Sequence, residues 1–175
     1  MDKDWNVVDV LRHYRHDWLN KLQLIKGNLD IGRIEKVHNL IDEIVHQSKN
    51  ESHLTNLNTE LLTEKLLTFN WGKHPYILSF EVLAQGDWSD LEGDVLQLCE
   101  HIFEILDTSA KPGYDNQLLL TLNDNDGIRV EFDFQGDISE NDQWLTMMKD
   151  FRKLYNEKID HLEWDKYGCY ICLSI

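Results

Sequence analysis

Arg15-His16-Asp17-Trp18-Leu19-Asn20-Lys21-Leu22-Gln23-Leu24-Ile25 runs without glycine or proline, and its apolar residues recur at helical spacing. At about 100° per residue, Leu11, Trp18, Leu22, Ile25 and Leu29 gather into one stripe, and His16 lies roughly 150° from its centre. The spacing predicts a helix that holds Trp18 in a core and the His16 imidazole in solvent. Arg12, His13, Asn20 and Gln23 share the outer face, which ends one turn further on at the bare backbone of Gly27. Such a face admits another protein closely.

Charge points to the kind of partner. Between Leu11 and Gly27 the cations Arg12, Arg15, Lys21 and Lys26 meet only Asp17, although the whole chain carries a formal net charge of -15. A basic strip on an acidic protein suits an anionic target. His16 itself has three readings. It can be an exposed histidine without a role, or half of a metal pair with His13, although no third strong ligand stands nearby. It can also be a nucleophile toward phosphorus, with Asp17 or a nearby amide orienting the ring.

The segment from Arg15 to Leu29 closely resembles the phosphoacceptor helix of the sporulation initiation phosphotransferase B family of endospore-forming bacteria. Weaker echoes continue through His53-Leu54-Thr55-Asn56-Leu57 and Leu67-Thr68-Phe69-Asn70-Trp71. His-Asp-x-x-Asn alone is shared with histidine kinases and does not separate a kinase from a phosphotransferase. The resemblance implies that His16 takes a phosphoryl group from the aspartyl phosphate of a single-domain response regulator. It then passes the group to an aspartate of a second, transcription-regulating one. Arg12, Arg15, Asp17, Asn20, Lys21, Gln23 and Gly27 are the expected supporting or partner-contact residues. The Mg2+ is expected in the partner regulator, with no cofactor or metal bound by this chain. The alternatives are a sensor-type histidine kinase or a non-catalytic dimeric adaptor for response regulators.

A second periodic run, Ile34, Val37, Leu40, Ile41, Ile44 and Val45, follows the first after a short link around Asp30 to Arg33, so the two helices should fold back as a hairpin. One hairpin cannot cover both stripes. Each large side chain is worth about 1.5 to 3 kcal/mol when buried, which favours two hairpins forming a four-helix bundle in a homodimer. Packing on the chain's own C-terminal part is the other solution. The expected division is 1–56 for the helical hairpin and 57–175 for a C-terminal α/β domain.

A polar connection is expected from Ser48 to Asn58. Beyond it the patterns predict a helix over Thr59 to Asn70, a strand over Tyr76 to Ala84 and a helix over Leu91 to Ser109. A hairpin of Gln117 to Asn123 with Ile128 to Gln135, a helix from about Ser139 to Tyr155 and two last strands follow. The fold class is α+β, with helices on one face of a mostly antiparallel sheet. In order this half resembles the ATP-binding domain of histidine kinases without its motifs: Glu104 and Thr108 stand where that helix would carry asparagines, and the glycine-rich boxes are missing. Asp126-Gly127 reads as turn chemistry.

Three cysteines, an odd number, suggest reduced thiols, and Cys169 and Cys172 fall three apart on a strand, on opposite faces. No stretch is long and apolar enough for a membrane span, and the first five residues have no signal-peptide character, so a cytoplasmic protein is expected. The acidic remainder, including Glu140, Asp142 and Asp150, argues against nucleic-acid binding.

Overall fold

The computed structural model describes residues 6–113 and 115–175. The sequence pattern runs the first helix from about Asp4 to Leu29; helix α1 spans Val7–Asp30, and Asp4 lies outside the described residues. The side chain of its N-cap, Asn6, accepts from the Asp9 N–H, satisfying one of the free donors of the first turn. At the other end Gly32 takes φ +72°, while its N–H bonds the Leu29 carbonyl and that of Arg33 the Asn28 carbonyl. This pair of bonds closes the helix with a left-handed residue that glycine adopts without strain, which fixes the short link to α2, Ile34–Asn56. Lys21 Nζ donates to Gln47 Oε1 across the hairpin at 2.7 Å.

One expectation fails here. Ser48 to Asn56 is helix and not a polar connection, because Leu54 is fully buried and the Asn50 Oδ1 accepts from the Val82 N–H. Those tertiary contacts outweigh a polar local composition. Within the single chain Trp18 is 37% exposed, and α1 has no buried residue at all. Leu11, Leu22 and Leu29 on α1, with Ile34, Ile41 and Val45 on α2, are likewise exposed.

The chain divides into compact units between Lys49 and Asn50. In the second, α3 (Glu60–Thr68) leads through a 3-10 turn to β1 (Ile77–Val82). Then come α4 (Glu92–Ser109), β2 (Gln117–Asn123), β3 (Arg129–Gln135), α5 (Asp142–Leu154), β4 (Ile159–Asp165) and β5 (Gly168–Ser174). The sheet order is β1-β2-β3-β5-β4, with β1 parallel to β2 and every other pair antiparallel. This is the expected α+β sandwich.

Alternation along each strand decides which face is covered. Leu118, Leu120 and Leu122 of β2, Val130, Phe132 and Phe134 of β3, and Cys169, Ile171 and Leu173 of β5 point into one core with Ile102 and Leu106 of α4 and Trp144 and Met148 of α5. Burial pushes the Cys169 thiol up to about 12. Cys172 faces the other way, as its spacing requires. Gly127, at φ +102°, makes the β2–β3 turn, and Asp124 beside it accepts from the Gly86 and Gln85 N–H groups at 2.7 and 3.0 Å. The open edge of β1 is bracketed by side chains. Asn70 bonds both the N–H and the carbonyl of Leu78, while Asn50 and His53 take those of Val82.

Candidate functional site

On α1 the His16 side chain is 72% exposed, as the periodicity requires. Its Nδ1 lies 3.3 Å from Asp17 Oδ1 and 3.3 Å from Asn20 Nδ2. The carboxylate can only accept, so that contact places the proton on Nδ1; the amide nitrogen can only donate, to an Nδ1 without one. The charge-assisted contact is the stronger kind. It leaves Nε2 as the outward nitrogen with a free lone pair, the form of imidazole that attacks an electrophile.

Gln23 and Gly27 continue the same face, both exposed. A Cβ added at Gly27 meets nothing within 4 Å, so no neighbour in this chain demands a glycine there. A glycine inside a helix costs about 0.5–1 kcal/mol relative to alanine, and the chain gets no local packing in return.

The basic strip is narrower than the sequence suggests. Arg12 is ion-paired with Asp9 at 2.8 Å, and Lys21 turns toward α2 to reach Gln47. Partners one helical turn away or across the hairpin take two of the four cations, a diversion that charge counting does not see. Arg15 stays exposed beside the face. Two residues the sequence reading passed over flank His16: Leu19 and Leu24, 52% and 56% exposed, stand on either shoulder and outside the apolar stripe of Trp18 and Leu22. Their angular offset from that stripe was the available signal.

In the second unit, the helix segment set against the kinases' asparagine helix has its polar groups engaged locally. Thr108 Oγ1 bonds back to the Glu104 and Ile105 carbonyls. Asp107 accepts from His74 Nδ1 at 2.8 Å, and the His74 ring stacks on Phe69 with centroids 3.8 Å apart. Between α4, α5 and the sheet, Trp144, Met148 and Phe134 leave a cavity of about 10 Å3, room for at most one water. No group of three or more His, Cys, Asp or Glu with metal-binding geometry occurs among the described residues, and no helix among them is long and apolar enough to cross a membrane.

Comparison with known proteins matches both parts. A family model described as Sporulation initiation phospho-transferase B, C-terminal, covers residues 58–175. One described as Sensor kinase SpoOB-type, alpha-helical domain, covers residues 2–57. Sporulation initiation phosphotransferase B of Bacillus subtilis (strain 168) is 39% identical over 117 residues, a match spanning 66% of this chain and 61% of that protein. Among solved structures, the blue-light activated histidine kinase of Erythrobacter litoralis EL346 aligns over 100% of this chain and 61% of its own, at 12% identity and a TM-score of 0.46.

Proposed function

The chain belongs to the sporulation initiation phosphotransferase B family, and from that membership we propose a phosphorelay phosphotransferase with His16 as the phosphoryl carrier. The observation that carries the reading is the exposed His16 side chain, with Nδ1 facing Asp17, on a helix face where Gly27 has nothing within 4 Å.

In the first step Nε2 attacks the phosphorus of a regulator's aspartyl phosphate in line. The N–P bond forms as the acyl P–O bond breaks, and the regulator's aspartate leaves as a carboxylate. Nδ1 keeps its proton, so the phosphoimidazole is cationic and Asp17 lies where it stabilises that charge. Asn20, one turn on, stands beside the ring within reach of the incoming partner. In the second step an aspartate carboxylate of another regulator attacks phosphorus, the N–P bond breaks and neutral imidazole returns. Any metal ion for the two steps would be held by the regulator's acidic pocket and would neutralise phosphoryl charge there. Arg15 offsets the charge of the incoming group, and Leu19 and Leu24 give the partner apolar contact on both shoulders. Gln23 and Gly27 allow its helix to approach.

The exposed stripe of Leu11, Trp18, Leu22 and Leu29 supports a homodimer in which two hairpins make a four-helix bundle. Glu104 and Thr108 in place of asparagines, and the absence of glycine-rich boxes from the sequence, support a relay fed by another protein rather than by ATP. Cytoplasmic placement follows from such partners.

The test mixes the purified protein with a phosphorylated single-domain response regulator, and separately with labelled ATP and magnesium, using wild type and His16→Ala. Label passing from the regulator to wild type alone is the expected result. Label from ATP identifies a kinase, and no label from either source leaves an adaptor.

A further inference from the structure

Helices cover only one face of the sheet, and the other carries a consistent chemistry. Its residues line up in cross-strand rows through the register. Ser79, Leu119, Asp133, Tyr170 and Glu163 form one row, and Ile77, Gln117, Gln135, Gly168 and Asp165 the next. A hollow of about 430 Å3 lies on this face beside Gly168, lined by Asp133, Gln135, Glu163, Asp165, Tyr167 and Tyr170. Gly168 cannot be filled in: a Cβ there would come within 2.8 Å of the Phe134 carbonyl oxygen.

Three carboxylates line this hollow, and none is held by a lysine or arginine among the described residues. Asp165 accepts from the Tyr167 N–H and Asp133 from the Gln135 amide, while Glu163 lies 3.2 Å from His161 Nε2. Arg129, on the same face further along β3, is 4.0 Å from Asp160. The Tyr170 hydroxyl donates to Glu131 at 2.8 Å, which fixes its ring beside the hollow. Tyr167 is 68% exposed and already accepts a cation on its ring from Lys166, 5.2 Å from the centroid. Uncompensated carboxylates beside aromatic faces match a guanidinium, which is planar, stacks on rings and bonds carboxylates through two N–H groups at once.

We propose that the open face of this sheet docks an arginine-bearing basic segment of a partner protein, with a guanidinium seated in the hollow over Gly168. The assignment rests on charge complementarity and is independent of the chemistry of His16.

The test titrates the full chain with a synthetic hexa-arginine peptide, following backbone amide NMR shifts and heats of binding. Two triple variants are compared with wild type. One is Asp133→Asn with Glu163→Gln and Asp165→Asn; the other, equally neutralised on the helix side, is Glu64→Gln with Glu104→Gln and Asp150→Asn. The proposal expects shifts concentrated on β3, β4 and β5, an affinity loss of about tenfold in the first variant and less than about twofold in the second. Equal losses in both would mean general attraction to an acidic chain and overturn it, as would the absence of binding. Spermidine displacing the peptide from the same residues at equal concentration would assign the hollow to a small organic cation and overturn the protein segment. Amide substitutions keep side-chain shape, and an unchanged far-UV spectrum separates loss of binding from loss of fold.

Discussion

The residues up to Lys49 contain eight acids and eight lysines or arginines, so the whole formal charge of -15 belongs to Asn50–Ile175. The two regions differ as sharply in burial. Helix α1 has no buried residue and shows its apolar stripe to solvent, whereas the second unit closes its own core around Phe132, Phe134, Trp144 and Leu120. A region that leaves large side chains wet is completed by something outside itself; one that buries them is complete alone. On the proposed reading association and exchange belong to the hairpin, while the acidic unit buries its own core.

The largest expected effect attacks the self-sufficient half. Phe132→Ala removes a ring from the middle of β3 and should cost about 3–5 kcal/mol, read by chemical denaturation with near-UV circular dichroism of the buried tryptophans. Leu22→Asp tests the incomplete half. A carboxylate in the stripe should dissociate the proposed dimer, at a cost of roughly 3 kcal/mol, and leave the near-UV signal of Trp88 and Trp144 in place. A persistent dimer in sedimentation velocity would remove the stripe as the interface and erase the contrast.

A smaller effect is electrostatic. The Gly86 N–H, aided by that of Gln85 and by Trp88, holds the Asp124 carboxyl below its ordinary 3.8. A depressed carboxylate contributes stability above its unfolded value and loses it as pH falls through the folded one. The loop after β1 should therefore loosen only in acid below that ordinary value. Asp124→Asn should weaken the unit by about 1 kcal/mol at neutral pH and flatten the acid limb of its stability profile. The smallest and most discriminating change is Gly27→Ala. It should stabilise α1 by about 0.5–1 kcal/mol, since nothing in the chain blocks the methyl group, while slowing phosphoryl transfer from the regulator. Faster or unchanged transfer would show that no partner approaches at Gly27.

Much of this was legible in the sequence because it is local. The spacing of Trp18, Leu22 and Ile25 gave the direction of His16, and alternation in Gln117 to Asn123 and Ile128 to Gln135 gave both strands, to within one residue, and their turn. Asn50 and Leu54 were not legible as helix, since their stabilising contacts come from β1, some thirty residues away. Nor were the diverted cations, because Arg12 and Lys21 read as free charges until their neighbours Asp9 and Gln47 are placed. Trp18 marks another limit. Helical periodicity says which side chains share a face, and is silent on whether that face meets the same chain or a second one. The hollow over Gly168 depends on cross-strand register, which no single strand encodes.

The brackets on β1 have a consequence for behaviour in a crowded cell. A sheet margin with bare N–H and carbonyl groups is a template on which further chains can polymerise. Asn70, Asn50 and His53 close that template on one margin, and Asp160, His161, Glu163 and Asp165 set charges along the strand at the other. Copies can therefore meet repeatedly at high local concentration without seeding a fibre.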